Sequence, residues 1–366
     1  MAEPSERPGS DGGAASGGGA ARRPRRRRPL LRFVGRRLLA LVPLGIGITL
    51  VSFCLTNLVP GDPAAANLGQ RAVDDPAIVA AFREEHGLDK PLPQQYLTYL
   101  GDIVRGDLGE SQQSRRPVVD DLAEYVPATL ELAFAAILIS LVLGVGLGVL
   151  AAVRRDGPID QGLRVFSLVG VSMPVFWLAL VAFYVFFYKL GWLPGTGRLD
   201  PTAVAPPAVT GFETIDSLLA GDLATFWSAL AHLVLPAGVL AAFTVGLLVR
   251  FVRSAVLEVL EQDYVRTARA KGLPTRTILR VHVLRAASVP IVTVVGLVFG
   301  SLLSGTVLVE TIFSWPGIGQ YAFRSATTLD LPAIMGVSLF VAIVYVAVNL
   351  AVDVLYGFLD PRIRVA

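Results

Sequence analysis

The chain has 366 residues, of which 53% are hydrophobic and only 17% are charged. Soluble domains average about 25% charged residues, so this composition argues against a soluble globular protein. The formal net charge of +3 comes from Lys and Arg residues that flank apolar blocks, which indicates membrane orientation and not nucleic-acid binding.

The N-terminal tail consists mainly of Gly, Ala, Ser, Pro and Arg. Such a segment buries too little apolar surface to offset its ordering entropy, so we expect it to be disordered. Its Arg25–Arg28 run is typical of a cytoplasmic anchor attracted to anionic lipid. We favour that interpretation over a twin-arginine export signal or a nucleic-acid site.

Six apolar stretches approach or exceed the roughly 20 residues that a helix needs to span a bilayer. Lys and Arg concentrate in the tail, in the second-to-third connection and in the fourth-to-fifth connection. The positive-inside rule therefore predicts an all-α inner- or plasma-membrane protein with both termini in the cytoplasm. The predicted spans are Leu38–Val59, Leu132–Val153, Val165–Tyr188, Leu233–Val249, Ala286–Val309 and Leu331–Val352.

The predicted division of the chain follows from these spans. It comprises a disordered basic tail over 1–30, a first transmembrane helix over 31–59, an extracytoplasmic loop with short helices over 60–127, a five-helix core over 128–357 that contains a cytoplasmic loop over 251–285, and a cytoplasmic C-terminus over 358–366. Within the outer loop, Pro76–Glu85 and Pro93–Arg105 have helical spacing, and Gly106 ends the second helix. Two interpretations of this loop are equally consistent with its sequence and compatible with each other: a folded cap on the membrane surface and a docking surface for an external partner.

The cytoplasmic loop between the fourth and fifth spans contains a charged, helix-forming segment. No Pro or Gly occurs from Ser254 to Lys271, so we expect an uninterrupted helix there, with Leu257, Leu260, Tyr264 and Ala268 forming one apolar stripe. Gly272 is suited to a helix C-cap with positive φ, and Pro274 to the start of a second helix. The stripe could lie on the membrane interface or enter a groove of a partner.

The sequence of this loop resembles the coupling loop of ATP-binding-cassette (ABC) importer permeases. That loop contains Glu-Ala-Ala, Gly after three further residues, and a later Ile-x-Leu-Pro. Here Arg266-Thr-Ala268, Gly272 and His282-Val-Leu-Arg285 occupy those places, as in the dipeptide, oligopeptide and nickel permeases, although Ala286 stands where that group usually has Asn. Further matching motifs run in order: Leu58–Pro63, Gly87–Pro91, Gly106–Ser111, Pro127–Leu132, Ser172–Trp177, His232–Pro236, Glu310–Gly319, Asn349–Asp353 and Asp360–Arg362.

The resemblance covers roughly residues 32–364 and implies a type I ABC importer permease fold of six transmembrane helices. The long first outer loop resembles the B-type subunit of a permease pair. The implied partners are a second, C-type permease, two ABC ATPase subunits, an extracytoplasmic solute-binding protein and the lipid bilayer, with no nucleic acid. The implied ATPase-coupling residues are Asp263, Tyr264, Arg266, Thr267, Ala268, Arg269, Ala270, Lys271, Gly272 and Leu273.

The chain itself contains no G-x-x-x-x-G-K-[ST] loop, so we expect a non-catalytic subunit without its own cofactor, whose partners bind ATP and Mg. Its three histidines are scattered, and we interpret His232 as a hydrogen-bonded helix-end residue in preference to a cargo contact. The predicted span interiors carry no charged residues, which argues against the main alternative, a secondary transporter. A membrane sensor or scaffold is a third alternative, but it would need a recognisable signalling domain, which we do not find in the sequence. Peptides are the expected cargo, with nickel or another small solute as the alternative.

Small residues recur on two of the predicted spans. Gly296, Gly300 and Ser304 share one face of the fifth, and Gly144 and Gly148 one face of the second. Such faces allow helices to approach closely, so we favour packing over the other interpretation, a small-residue wall that lines the translocation path.

Overall fold

The computed structural model describes residues 89–359 continuously, together with 75–85 and part of 35–54. The predicted tail, residues 55–74 and residues 360–366 lie outside the described residues. The described part is helical, and its one β contact is an isolated bridge between Glu110 and Pro117. The α-helices are α1 Pro76–Glu85, α2 Leu92–Arg105, α3 Val118–Val153, α4 Pro158–Ser172, α5 Val175–Ala182, α6 Glu213–Leu219, α7 Leu223–Leu260, α8 Asp263–Ala270, α9 Leu284–Gly305, α10 Val307–Ile312, α11 Ile318–Thr328 and α12 Leu331–Leu359.

Four helical segments in the described part are long and apolar enough to cross a membrane, or five if one bent pair counts as a span. They are Val118–Val153, Leu223–Leu260, Thr275–Leu302 and Leu331–Val352. They contain most of four predicted spans. Leu38–Val59, the predicted first span, is described only in part, and its described residues are helical.

The predicted third span, Val165–Tyr188, is not one straight helix. α4 and the helical stretch Val175–Lys189 meet at an angle of 102°, and the second half of that stretch, Phe183–Lys189, is π-helical. The break occurs because Pro174 disfavours helical backbone at the residue before it, and Met173 is extended with ψ 130°. The predicted apolar segment is present, but it changes direction halfway instead of forming one straight helix.

α7 is the central helix of the bundle, and 72% of its most apolar 18-residue stretch is buried inside the protein. The largest apolar cluster joins α7 to α3, α5 and α9 through Leu132, Ala179, Leu240 and Leu302. α3 and α7 have 36 and 38 residues, so each extends well beyond the roughly 20 residues that span a bilayer. We call the end where α3 stops at Val153 and α7 at Leu260 the basic end, and the other the opposite end.

The outer loop folds as a cap on the opposite end. Helices α1 and α2 lie where the sequence predicts them, and Gly106 ends α2 with φ 85°. The Tyr96 hydroxyl of α2 donates to the Ile46 carbonyl of the first apolar segment at 2.9 Å. The Ser111 hydroxyl donates to the buried Asp330 carboxylate at 2.6 Å, which joins the cap to the start of α12.

Candidate coupling site

The charged loop at the basic end forms two helices and not the single helix that the sequence predicts. α7 ends at Leu260, Gln262 is extended with ψ 146°, and α8 then starts at Asp263. The turn returns α8 to the bundle, where Val265 and Ala268 are buried. They pack against Val252 and Val256 of α7 and Ile278 of the following segment, so burial of this second face outweighs the helix propensity of Glu261 and Gln262.

The predicted apolar stripe is wrong as a consequence. Ala268 is buried, but the Tyr264 side chain is 46% exposed and lies beside His282 with ring centroids 6.5 Å apart. The buried pair Val265 and Ala268 has i, i+3 spacing, which is the sequence signal that was available for the correct face.

The remaining predicted coupling residues are exposed at the basic end. α8 and its cap present charged side chains to solvent together with the exposed Tyr264 and Leu273. Of the predicted coupling residues, Ala268 alone is buried against the bundle. An ion pair between Arg266 and Asp263 at 3.3 Å is open to solvent and contributes little stability. The exposed members are Asp263, Tyr264, Arg266, Thr267, Arg269, Ala270, Lys271, Gly272 and Leu273.

Gly272 ends α8 in a left-handed conformation, as its sequence position predicts. Its φ is +76°, its N–H donates to the Arg269 carbonyl at 2.9 Å, and the Leu273 N–H donates to the Ala268 carbonyl at 3.3 Å. This pair of bonds is the Schellman arrangement, which satisfies carbonyls that have no partner within the helix. Pro274 is extended and precedes a short helical turn over Thr275–Thr277. We call Asp263–Pro274 the coupling segment.

Sequence reasoning missed the ion pairs that attach the second-to-third connection to the basic end of α7. Arg155 contacts Glu261 at 2.9 Å, immediately before the turn at Gln262. Arg253 contacts the fully buried Asp160 at 2.6 Å. A partial signal existed, because Asp160 lies three positions after Gly157 at the start of a helix, where acidic residues are favoured.

A second set of buried polar contacts lies at the opposite end. Glu131 pairs with Arg198 at 2.6 Å, and the Thr129 hydroxyl donates to Glu310 at 2.7 Å. Desolvation by burial raises the pKa of Glu310 in spite of this hydrogen bond. These contacts could not be read from the sequence, because the partners of Glu131 and Glu310 lie 67 and 181 positions away in the chain.

The small-residue faces contact other helices of the same chain. A Cβ on Gly296 would clash with Val352, and a Cβ on Gly300 would lie 3.4 Å from Tyr345, both on α12. These contacts favour packing over a path lining. The side chain of Ser304, the third predicted member, lies outside the described residues. His232 is buried in α7 with a ring nitrogen 2.8 Å from the Ser228 carbonyl, which favours its structural interpretation.

Several membrane-spanning helices with a short charged helix at one end define a polytopic membrane protein. Residues 144–365 match the family described as binding-protein-dependent transport system inner membrane component, and residues 30–133 match the model for the N-terminal part of such membrane components. The chain belongs to this family. The match confirms the resemblance to ABC-importer permeases that the loop motifs indicate.

Curated relatives align with almost the whole chain. The di/tripeptide transport system permease protein DppB of Pseudomonas aeruginosa is 46% identical over 92% of this chain and 99% of its own. The probable D,D-dipeptide transport system permease protein DdpB of Escherichia coli is 46% identical over 90% and 96%. The inward-facing MetNI methionine ABC transporter structure aligns at 17% identity and TM-score 0.49 over 65% of this chain and 96% of its own.

Proposed function

We propose that this chain is a permease subunit of an ATP-driven importer of short peptides, and that its coupling segment is the contact for a separate ATPase. The observation that carries the proposal is the exposed α8, which buries Val265 and Ala268 against the bundle and leaves charged side chains to solvent. A helix fixed on one face and open on the other can receive force from a partner and pass it to α7 and α9.

The peptide cargo is proposed from the relatives. Proteins 46% identical over nearly their full length carry the names di/tripeptide and D,D-dipeptide permease. The proposed complex contains this chain, a second C-type permease, two ATPase subunits that bind ATP and Mg, and an extracytoplasmic binding protein. Both termini of this chain lie in the cytoplasm in this proposal, and six helices cross the membrane.

The test is uptake of a labelled dipeptide by proteoliposomes that contain the complete set of subunits. We expect uptake to require ATP inside, the binding protein outside and this chain in the membrane. Liposomes that lack only this chain are the matched control. Uptake by this chain alone, driven by a proton gradient without ATP, would overturn the proposal in favour of a secondary transporter.

A competition experiment addresses the cargo class. Excess unlabelled dipeptide should abolish uptake of the labelled peptide, whereas nickel salts should leave it unchanged. Preferential uptake of labelled nickel by the same liposomes would instead identify a permease for that solute, with the ATPase contact unaffected.

A further inference from the structure

The connection after α3 and the first turn of α4 contact the basic end of α7 at two points that lie close to the coupling segment. Arg155 pairs with Glu261, and Asp160 pairs with Arg253. Arg253 lies in the last turns of α7 and Glu261 caps its end, eight positions or about two helical turns later, so the two side chains lie on one side of the helix end. Both points come shortly before Gln262, where α7 gives way to α8.

The contact between Asp160 and Arg253 is a partly buried ion pair with two hydrogen bonds. Arg253 donates from Nε to Oδ1 at 2.6 Å and from a terminal nitrogen to Oδ2 at 2.9 Å. The Asp160 side chain is 0% exposed and the Arg253 side chain 19%. Two parallel hydrogen bonds fix the relative direction of the two groups as well as their distance.

The Asp160 carboxylate has two other hydrogen-bond donors besides Arg253, and both come from α4 or the residues just before it. Its carboxylate accepts from the Asp156 backbone N–H at 3.0 Å and from Arg164, one turn later on α4, at 2.7 Å. Burying a further cation carries a desolvation cost that an apolar pair would avoid, and apolar replacements of buried ion pairs are often equally stable. Stability alone is therefore a weak reason for a charged, mostly buried Arg253 against the buried Asp160.

The rest of α4 lies against α7 at backbone distance. A Cβ on Gly246 would lie 3.0 Å from the Ser167 carbonyl oxygen, and a Cβ on Gly170 would lie 3.4 Å from the Ala242 carbonyl oxygen. Together with the Asp160–Arg253 pair, these contacts show that α4 and α7 lie antiparallel and side by side. The two helices are therefore held together from the basic end almost to the bend at Met173.

We propose that the Asp160–Arg253 pair is a positioning contact for coupling: it makes α4 follow the basic end of α7, so that a displacement of the coupling segment also reaches the bend between α4 and α5. This inference rests on the proposed function. Asp160 and Arg253 touch neither ATP nor cargo in this scheme, and they act through the helices that they join.

The experiment uses the complete transporter in proteoliposomes and measures peptide imported per ATP hydrolysed. Asp160→Asn keeps the shape of the side chain and removes the charge, and Arg253→Lys keeps the charge and removes the two-pronged geometry. We expect Asp160→Asn to lower the ratio at least about fivefold, the lower end of typical coupling effects. Arg253→Lys should give an intermediate ratio.

Arg164→Gln is the matched control. Arg164 also contacts Asp160, but it lies on the same helix and does not join α4 to α7. Its loss should leave the ratio within about twofold of wild type, because typical coupling effects begin at about fivefold. A fall as large as that of Asp160→Asn would overturn the inference, since it would mean that any loss of charge balance at Asp160 has the same effect.

The remaining outcomes also decide. Wild-type ratios in both Asp160→Asn and Arg253→Lys would overturn the inference. If Asp160→Asn does not reach the membrane, Arg253→Lys decides, and failure of both to assemble would show a folding role and overturn it as well. Failure of the proposed function would look different, since wild-type liposomes would then show no uptake dependent on the binding protein.

Discussion

Gly272 illustrates how one backbone conformation supports an exposed site. Its left-handed φ of +76° allows the chain to leave α8 and enter the turn at Pro274, and a Cβ there would meet no atom within 4 Å. A side chain at this position would therefore strain the backbone without a steric clash. Only the angle between the two parts of the coupling segment should change.

We expect Gly272→Val to reduce peptide uptake and ATPase co-purification more than it reduces the amount of permease in the membrane. The left-handed conformation costs a non-glycine residue about 1–2 kcal/mol, and a β-branched residue more. Uptake and retained ATPase, both normalised to permease level, are the measurements.

Gly221→Val is the matched control for that substitution. Gly221 has φ +72°, ends α6 with the same pair of backbone hydrogen bonds and also has open space around it, but it lies at the opposite end. It should carry the same strain and keep the ATPase. Equal loss of ATPase in both variants would contradict a specific role for the coupling segment.

Asp216 holds the loop before α6 closed at the opposite end. Its carboxylate accepts hydrogen bonds from the backbone N–H groups of Val209, Thr210 and Gly211 and from the Thr210 hydroxyl. Burial alone would disfavour the charge, but these donors outweigh it and hold the pKa of Asp216 below its usual range. The stabilisation is therefore present at neutral pH and is lost as the pH falls through that lowered pKa.

We predict that Asp216→Asn makes the loop over 200–212 more sensitive to protease at neutral pH. An amide offers one acceptor oxygen where the carboxylate has two, and its NH₂ group faces donors, so hydrogen bonds worth about 1.5–3 kcal/mol each are lost. Asp200→Asn is the control, since Asp200 is exposed and its side chain accepts from the N–H and hydroxyl of its neighbour Thr202. Equal cleavage rates in wild type and Asp216→Asn would contradict the prediction.

The sequence predicts which helices form better than it predicts where the chain turns between them. α1, α2 and most of the long apolar helices follow from periodicity and length, because these signals are local. The bend at Met173 and the turn at Gln262 do not. Pro127, Pro236 and Pro290 lie inside helices, so a proline alone did not identify Pro174 as the site of a break.

The candidate site was predictable to a similar extent. The coupling segment and its Gly272 cap follow from local spacing, whereas the buried face of α8 depends on Val252 and Val256 of another helix. The Asp160–Arg253 pair joins residues 93 positions apart. Contacts of that kind depend on how helices pack, and a single sequence carries little information about which distant residues meet.

The close contact between α3 and α7 can be tested by substituting a glycine of α3 that touches α7, with a second glycine of α3 that does not touch it as the control. A Cβ on Gly148 would lie 2.7 Å from the Val252 Cβ and 3.1 Å from the Val249 carbonyl oxygen, whereas a Cβ on Gly146 would meet nothing within 4 Å. We expect Gly148→Ala to destabilise the folded permease by about 1–3 kcal/mol, as overpacking does, and Gly146→Ala to be neutral.

Thermal unfolding of the detergent-purified permease, followed by intrinsic tryptophan fluorescence, measures this difference. The double variant Gly148→Ala with Val252→Ala should recover part of the lost stability if the clash with Val252 is the cause. Similar melting temperatures for Gly148→Ala and Gly146→Ala would contradict close packing at this position.

At the scale of the whole molecule, the basic end should face the cytoplasm. Arg155, Arg164, Arg253 and Arg266 all lie there, whereas the opposite end carries the buried carboxylates Glu131, Asp216, Glu310 and Asp330. Reporter fusions after residue 160 or 272 should therefore report the cytoplasm, and fusions near residue 110 or 205 the outside. An inverted pattern would refute the proposed topology.

The length of α7 has a mechanical consequence. At 1.5 Å per residue its 38 residues extend about 57 Å, nearly twice the thickness of the hydrocarbon layer. For a rigid rotation of α7 about its midpoint, a tilt of about 5° displaces each end by about 2.5 Å. That distance is comparable to a hydrogen bond, so a push beside Gln262 is large enough to break the contact near the far end in which the Asp200 N–H donates to the Ser228 hydroxyl of α7 at 2.9 Å.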